Sequence, residues 1–335
     1  VAAIVRLFDL HHLRAVARMG ELLAVIALVL GALSILADVG QPGRAIVNLF
    51  RYARPQSPFF GTFTLVISGY LFASLVYLYL DGRRDAAVCA RTPSRLRWFH
   101  RLWAAGYGDT PKERERHARA SYWLALSILP LLVTAHSTLG FVFGLQAGRS
   151  GWFSALQAPG FVVLAGVSGV GLLIVIAALA RWAFGERERL GDAVFRWLAN
   201  FLMVLSIVYL YFVVVDWLTA TYAAPEHELR MSRAVFSGEY APLYWLGLGA
   251  LVVATIILFA QFATRRYALW PTVLAGVLVN VAAVAKRVVL VVPSQTHGSY
   301  LPYAPGVYAP TLVEYAIVLG LLALGALAYL HFAKA

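Results

Sequence analysis

Residues 194–219 read VFRWLANFLMVLSIVYLYFVVVDWLT, a run of 26 residues with two charged side chains, Arg196 and Asp216. At about 1.5 Å per residue, a helix of this length crosses the roughly 30 Å hydrocarbon core of a bilayer. Because a backbone in lipid must satisfy its own hydrogen bonds, such runs predict helices. Seven more runs of this kind make the predicted fold an all-α polytopic membrane protein with eight spans. They are Glu21–Gly40, Phe59–Leu80, Ser121–Leu145, Ala158–Arg181, Leu243–Ala263, Ala268–Val292 and Thr311–Phe332.

The overall composition agrees with this class of protein. The chain is 61% hydrophobic and 13% charged, with a mean hydropathy of +0.74. A net charge of +12 is also typical of proteins that bind nucleic acid. The basic residues fall in short segments between apolar runs, however, so no nucleic-acid partner is expected. The single cysteine, Cys89, excludes an intrachain disulfide, a cysteine-ligated iron–sulfur cluster and a cysteine-type zinc site.

The distribution of lysine and arginine predicts the orientation. One side of the spans carries 20 of these residues and the other side 6, with Lys286 and Arg287 inside a span. The basic side is expected to face the cytoplasm, which places both ends of the chain there, in a bacterial cytoplasmic membrane. The chain is predicted to be a single integral membrane domain over residues 1–335. Within it, residues 1–20 are expected to be the end of a preceding helix with a cytoplasmic connection, residues 81–120 a cytoplasmic loop, and residues 220–242 and 293–310 outer-face loops.

Six ionisable side chains lie within apolar runs, and all of them fall in the outer half of the membrane. A charge in hydrocarbon costs about 3 kcal/mol even on insertion scales, so such groups usually mark a functional site. Taken singly, each has a simpler explanation: a carboxylate can meet interfacial water, an arginine can extend to the surface, and a histidine can be a satisfied core residue. As a set they favour one site. They are Asp38, His136, Asp216, Lys286, Arg287 and Glu314.

The residue types limit the chemistry of that site. Only His136, among eight histidines, lies deep in a span, so haem held by two histidines is not expected. The chain shows no phosphate-binding loop, no HExxH and no GxSxG motif. No metal is predicted. A histidine with carboxylates and tyrosines suits a quinone, because its two oxygens need hydrogen-bond partners and two protons move with its electrons.

Several motifs follow one another along essentially the whole chain. They are Asp38-Val-Gly-Gln-Pro-Gly-Arg44, Ala135-His-Ser-Thr-Leu-Gly-Phe-Val-Phe143, Gly151-Trp152, Ala158-Pro159, Tyr211 with Asp216 and Tyr222, Arg287 with Pro293, and Tyr308-Ala-Pro-Thr-Leu-Val-Glu314. In this order they resemble the NrfD/PsrC family, the quinone-interacting membrane subunits of polysulfide-reductase-like complexes and of alternative complex III.

Four positions depart from the family pattern. Val142 replaces a carboxylate, Phe153 replaces a histidine, an aspartate is absent around Gly61 and Thr62, and Asp216 stands where glutamate is usual. No proton path is therefore expected through the positions that lack the family's ionisable group.

The resemblance implies an architecture and a set of partners. It implies two four-helix bundles side by side, with nine or ten spans in the full chain. It also implies a bound quinone, menaquinone or ubiquinone, with no haem or iron–sulfur cluster in this chain. The implied partners are an iron–sulfur subunit on the outer face, other membrane and redox subunits, and lipid. The chain would then be a subunit of a respiratory or photosynthetic oxidoreductase, without a complete active site of its own.

Depth in the membrane and position in the family motifs together suggest roles within the site. His136 is expected to bind a quinone oxygen and exchange its proton, with Asp216 as the coupled acceptor and Tyr211 as a hydrogen-bond donor. Arg287 and Glu314 are expected to pair at the outer mouth of the pocket, and Asp38 to line it.

Two other classes of function stay open at this point. Pro130 and Pro271 interrupt spans, as in secondary transporters with broken helices, so a transporter or a proton-translocating subunit is the first alternative. A non-catalytic membrane anchor is the second. It would keep the docking loops and make the buried ionisable residues dispensable.

Overall fold

The computed structural model of the chain describes residues 1–52, 54, 56, 62–93, 96–223, 225–297, 306 and 308–334. In this part of the chain, all regular elements are helical. A 3-10 turn lies at His11–Leu13 and a π-helical segment at Thr219–Ala223. The α-helices are α1 (Ala2–Leu7), α2 (Arg14–Asp38), α3 (Pro42–Tyr52), α4 (Phe63–Cys89), α5 (Arg97–Ala104), α6 (Pro111–Gly144), α7 (Gln157–Phe184), α8 (Asp192–Leu218), α9 (Glu226–Phe236), α10 (Ala241–Thr264), α11 (Leu269–Thr296) and α12 (Leu312–Lys334).

Eight of these helices are long and apolar enough to cross a membrane. They are α2, α4, α6, α7, α8, α10, α11 and α12, and they range from 23 residues in α12 to 34 in α6. Each corresponds to one predicted apolar run, so the predicted all-α polytopic class and the eight spans are confirmed.

The long helices extend past the apolar runs on the basic side. Helix α4 continues to Cys89, and α6 begins at Pro111, ten residues before its apolar part. The start of α6 has a local cause. The Glu113 carboxylate accepts hydrogen bonds from the Thr110 amide (3.0 Å) and hydroxyl (2.9 Å), which forms a capping box with proline at the first helical position.

The first compact unit comprises residues 1–135 and 310–335. It contains α2, α4, most of α6 and α12, and α12 packs against α2 although the two are far apart in sequence. Arg18 of α2 joins α4 through two ion pairs. Its guanidinium lies 2.8 Å from the Asp81 carboxylate and 2.7 Å from that of Asp85. Four spans of the chain therefore belong to this unit.

The second compact unit comprises residues 136–309 and contains α7, α8, α10 and α11, with the short helix α9. Helix α11 packs against both α7 and α10. The turn between α10 and α11 is closed by Gln261, whose side-chain oxygen accepts hydrogen bonds from the Ala268 amide (2.9 Å) and the Thr272 hydroxyl (3.2 Å). Each unit thus contributes four spans, as the predicted pair of four-helix bundles requires.

Two predicted loops contain short helices: α5 lies within 81–120 and α9 within 220–242. Helix α1 lies within residues 1–20, where the sequence predicts the end of a helix and a connection. Helix α11 continues four residues past the predicted end at Val292, and part of the predicted 293–310 loop, namely 298–305 and 307, lies outside the described residues. The predicted start of the second span, residues 59–61, also lies outside them.

Candidate functional site

An ion pair joins two spans of the second unit. Asp216 lies near the end of α8, and Lys286 lies in the second half of α11. The Lys286 Nζ atom is 3.2 Å from the Asp216 Oδ2 atom, and the side chains are 29% and 43% exposed. Because each charge is offset by the other, the pair can be accommodated within an apolar bundle. Lys286 is among the intramembrane ionisable groups that the sequence reveals, but no motif assigns it a role.

A cavity of about 850 Å³ lies beside this pair. Its walls come from α8, α10 and α11, with α9 and residues 147–156 at one end, all within the second unit. Most of the lining is aliphatic or aromatic, and the polar groups converge at a few places. The polar or ionisable members include Tyr209, Asp216, Glu228, Tyr244 and Lys286. An apolar cavity with a few placed polar groups is the usual form of a small-molecule site.

A second, smaller void of about 30 Å³ lies against the same ion pair. It is bordered by Gln157, Phe161 and Leu164 from α7 and by Arg287 from α11. A void needs roughly 10–15 Å³ to hold one water, so this one has room for a water with polar partners. The Asp216–Lys286 pair therefore borders both a ligand-sized cavity and a water-sized void.

Two tyrosines on α8 occupy different surroundings. Tyr209 is 5% exposed and lines both spaces, whereas Tyr211 is 64% exposed. Positions two residues apart on a helix point about 200° apart, so only one of them can face the cavity. The sequence motif favours Tyr211, and the structure brings Tyr209 to the ion pair.

The end of the cavity near α9 is held by specific contacts. The Glu228 carboxylate of α9 accepts a hydrogen bond of 2.7 Å from the Gly151 amide. Gly151 has φ +81°, and a Cβ there would lie 3.1 Å from Met231 of α9, so glycine suits both the backbone and the contact. The Trp152 indole donates to the Leu290 carbonyl of α11 at 2.6 Å. These contacts tie α9 and the loop before α7 over the cavity.

The remaining predicted site residues lie elsewhere. His136 is half-buried on α6, and the described residues that line the cavity do not include it. Asp38, the last residue of α2, and Glu314 are exposed members of the first unit. Glu314 accepts hydrogen bonds from the Thr311 amide and hydroxyl in a capping box at the start of α12. The Arg287–Glu314 pair and the lining role of Asp38 stay predictions.

The polar groups at the cavity are hydrogen-bond donors and acceptors. Over the described part of the chain, no three histidine, cysteine, aspartate or glutamate side chains come together as metal ligands. The arrangement offers a cationic donor, a carboxylate acceptor and phenolic hydroxyls around an apolar space. It is suited to binding a polar headgroup and exchanging protons with it.

Comparison with known proteins identifies the family. The family model described as polysulphide reductase, NrfD, matches residues 1–297. The chain belongs to the NrfD family. It is therefore a multi-pass integral membrane protein, and the resemblance found in the sequence motifs is confirmed.

Curated relatives extend over most of the chain. It is 30% identical to a putative membrane subunit of a dimethyl sulfoxide reductase from Halobacterium salinarum, over 96% of this chain and 75% of that protein. It is 25% identical to a selenate reductase subunit of Mesobacillus selenatarsenatis, over 96% and 77%. It is also 25% identical to an Hdr-like menaquinol oxidoreductase integral membrane subunit of Archaeoglobus fulgidus, over 97% and 76%. All three relatives are subunits of reductases or oxidoreductases.

Proposed function

We propose that this NrfD-family chain binds a quinone or quinol as the membrane subunit of a multisubunit oxidoreductase. The observation that carries the proposal is the Asp216–Lys286 pair at the wall of an apolar cavity of about 850 Å³. Ligand cavities are commonly about 300–1,000 Å³, so the space suits a headgroup with part of an isoprenoid tail. The relative named as a menaquinol oxidoreductase subunit supports this class of ligand.

The side chains at the cavity supply what a quinone headgroup requires. Lys286 can donate a charge-assisted hydrogen bond to a headgroup oxygen, and the Asp216 carboxylate can accept from a hydroxyl. Reduction or oxidation of the bound quinone would provide the exchange of two electrons and two protons. Asp216 would take or return the two protons one after the other and exchange each with water in the adjoining void, while Lys286 would stay protonated and offset the charge of the ionised carboxylate. The Tyr209 hydroxyl would orient the ring from the α8 side.

The water-sized void gives each proton a route away from Asp216. Besides Asp216, it is bordered by Gln157 of α7 and Arg287 of α11. A water there could bridge the carboxylate to these groups. His136 stays a second proposed quinone ligand because of its family motif. The variant His136→Ala tests this role.

The partner proposed for this chain is an iron–sulfur subunit docked on the outer face. The outer segments are rich in proline, glycine and aromatic residues and hold 6 basic residues, against 20 on the other side. Electrons would pass between the bound quinone and this partner. The excess of basic residues supports cytoplasmic ends of the chain. The membrane proposed for it is a bacterial cytoplasmic membrane.

The decisive experiment is lipid extraction and mass spectrometry of the purified complex, with and without a quinone-site inhibitor. We expect co-purifying quinone that the inhibitor displaces. Asp216→Asn and Tyr209→Phe should each lower quinone retention about 3- to 30-fold, the range of one lost hydrogen bond of about 0.7–2 kcal/mol. Tyr211→Phe is the matched control, because it removes a phenolic hydroxyl from the same helix two residues away.

The outcomes separate the candidate functions and the candidate residues. Loss of quinone in Tyr211→Phe and His136→Ala but not in Tyr209→Phe would move the site away from the cavity. No quinone in a preparation that keeps its iron–sulfur partner would favour a membrane anchor. No quinone and no redox partner would favour a transporter or proton-translocating subunit, for which an intramembrane ion pair beside two voids is also suitable.

A further inference from the structure

Helix α5 lies against the basic-side end of α4 within the first unit. Its Trp103 indole donates to the Tyr79 carbonyl at 3.1 Å. The same ring occupies the space beside Gly82, where a Cβ would be 3.2 Å from Nε1. Ala104 packs with Ala86 and Ala87 of α4 in a small buried cluster. The inner face of α5 is therefore fixed on the last turns of α4.

This position coincides with the boundary between hydrocarbon and water. The apolar part of α4 ends at Leu80, and Asp81, Arg83 and Arg84 follow. Since α5 packs on residues 79–87, it lies where the span passes from lipid tails to the headgroup region. A short helix at this depth lies in the membrane surface rather than across it.

The outer face of α5 carries two adjacent stripes. Trp98 and Leu102, four residues apart and hence on one side of the helix, are 67% and 71% exposed. Arg97 and Arg101, with the same spacing, are exposed beside them. Tryptophan and leucine next to arginines form the pattern of helices that lie in the headgroup region of a membrane.

The aspartates near α5 are already paired with other arginines, and the Glu113 carboxylate accepts hydrogen bonds from the Gly108 and Thr110 amides. Asp81 and Asp85 bind Arg18, and Asp109 contacts Arg84 and Arg114. Among the described residues, Arg101 forms no ion pair, and Arg97 donates through Nε to the Ala90 carbonyl at 3.0 Å. Within that part of the chain, two guanidinium groups therefore face outward without a carboxylate counter-ion.

We propose that α5 binds the headgroup of an anionic phospholipid in the basic-side leaflet. Arg97 and Arg101 contact the phosphate, and Trp98 and Leu102 enter the boundary between headgroups and acyl chains. A net negative headgroup is favoured over a zwitterionic one because the described carboxylates nearby are already bound to other groups. Guanidinium groups also match phosphate geometry with two parallel hydrogen bonds.

The test is native mass spectrometry of the intact complex after delipidation and titration with phosphatidylglycerol or phosphatidylcholine. Each basic residue near an anionic surface contributes about fivefold in affinity, so Arg97→Gln with Arg101→Gln should weaken retention of the tightest phosphatidylglycerol about 30-fold. The control is Lys112→Gln with Arg116→Gln, a pair that has the same spacing and charge, is exposed on the same side, and lies outside α5. Thermal unfolding of both variants checks that they stay folded.

Three outcomes would overturn the proposal. Equal loss of phosphatidylglycerol in the control pair would show a diffuse charge effect without a site at α5. Equal retention of the two lipids by the wild type would show that the headgroup charge is not recognised. The third outcome comes from tryptophan fluorescence measured with a brominated phosphatidylglycerol, whose bromine atoms quench nearby tryptophans. We compare the quenched fraction of the fluorescence in the wild-type complex and in Trp98→Phe. If the two fractions are equal, Trp98 does not contact lipid, and a partner protein covers α5.

Discussion

The orientation of α8 and α11 about their axes decides which side chain pairs with Asp216. Lys286 and Arg287 are neighbours in α11, so their side chains point about 100° apart. Lys286 reaches the Asp216 carboxylate, whereas Arg287 borders the smaller void and does not line the large cavity. The sequence places both inside a span, but a span that is apolar all round has no periodicity to show which side faces a neighbour. For the same reason the motif favours Tyr211, whereas Tyr209 lines the cavity.

At the residue scale, the ion pair predicts a non-additive change in stability. Asp216→Asn leaves the Lys286 cation unpaired, and we expect a loss of about 1–2 kcal/mol. This is less than the roughly 3–5 kcal/mol of a fully buried pair, because both side chains are partly exposed. Adding Lys286→Met to Asp216→Asn should recover most of the lost stability. The measurement is thermal unfolding of the purified complex for the two single variants and the double variant.

The matched control for this cycle is Arg266→Met. Arg266 is exposed in the turn before α11, lines neither the cavity nor the smaller void, and forms no ion pair among the described residues. Its effect should add to that of Asp216→Asn within about 0.5 kcal/mol. If the effects of Asp216→Asn and Lys286→Met on stability are also additive, the two charges do not stabilise each other.

At the element scale, the crossing of α7 and α11 depends on two glycines. A Cβ on Gly171 would lie 2.4 Å from the Val279 side chain and 2.9 Å from the Gly276 carbonyl. Gly171→Ala should force the helices apart and destabilise the protein by about 1–3 kcal/mol. Gly169→Ala, on the same helix with nothing within 4 Å of its Cβ, should be neutral or slightly stabilising. Equal unfolding temperatures for the two variants would contradict this close crossing.

The contact that holds α9 predicts a local change in amide exchange. Glu228→Ala removes the acceptor of the Gly151 amide, which should then exchange about tenfold faster, the equivalent of about 1.4 kcal/mol. Glu226→Ala is the control, since it removes an exposed carboxylate from the first turn of the same helix. Hydrogen–deuterium exchange of the peptide that contains Gly151 measures both. Unchanged protection in Glu228→Ala would show that other contacts hold this loop.

The short helices also show what a sequence pattern misses. Helix α5 has 8 residues and α9 has 11, so neither produces the long apolar run that reveals a span. Each mixes charged and apolar residues, and segments of that composition resemble solvated loops. Their helical form depends on packing against α4 and against α10 and α11, which the sequence alone does not show.

At the scale of the whole molecule, the number of spans follows from hydropathy but their grouping does not. The first unit takes α12 from the far end of the chain and packs it on α2, where a Cβ on Gly325 would lie 2.5 Å from Leu30. The second unit takes α7, α8, α10 and α11. Apolar length predicts a helix in lipid, whereas the choice of neighbour depends on close contacts between helices that are distant in sequence.

The predicted orientation of the whole chain can be tested through its single cysteine. Cys89 is exposed at the end of α4, on the side that carries 20 basic residues. A membrane-impermeant maleimide should therefore label inside-out vesicles and leave right-side-out vesicles unlabelled. In the variant Cys89→Ser with Ser237→Cys, whose new thiol follows α9 on the opposite side, the pattern should reverse. If Cys89 reacts from the outside, the basic side faces outward, and the cavity under α9 together with the proposed iron–sulfur partner would belong to the cytoplasmic face.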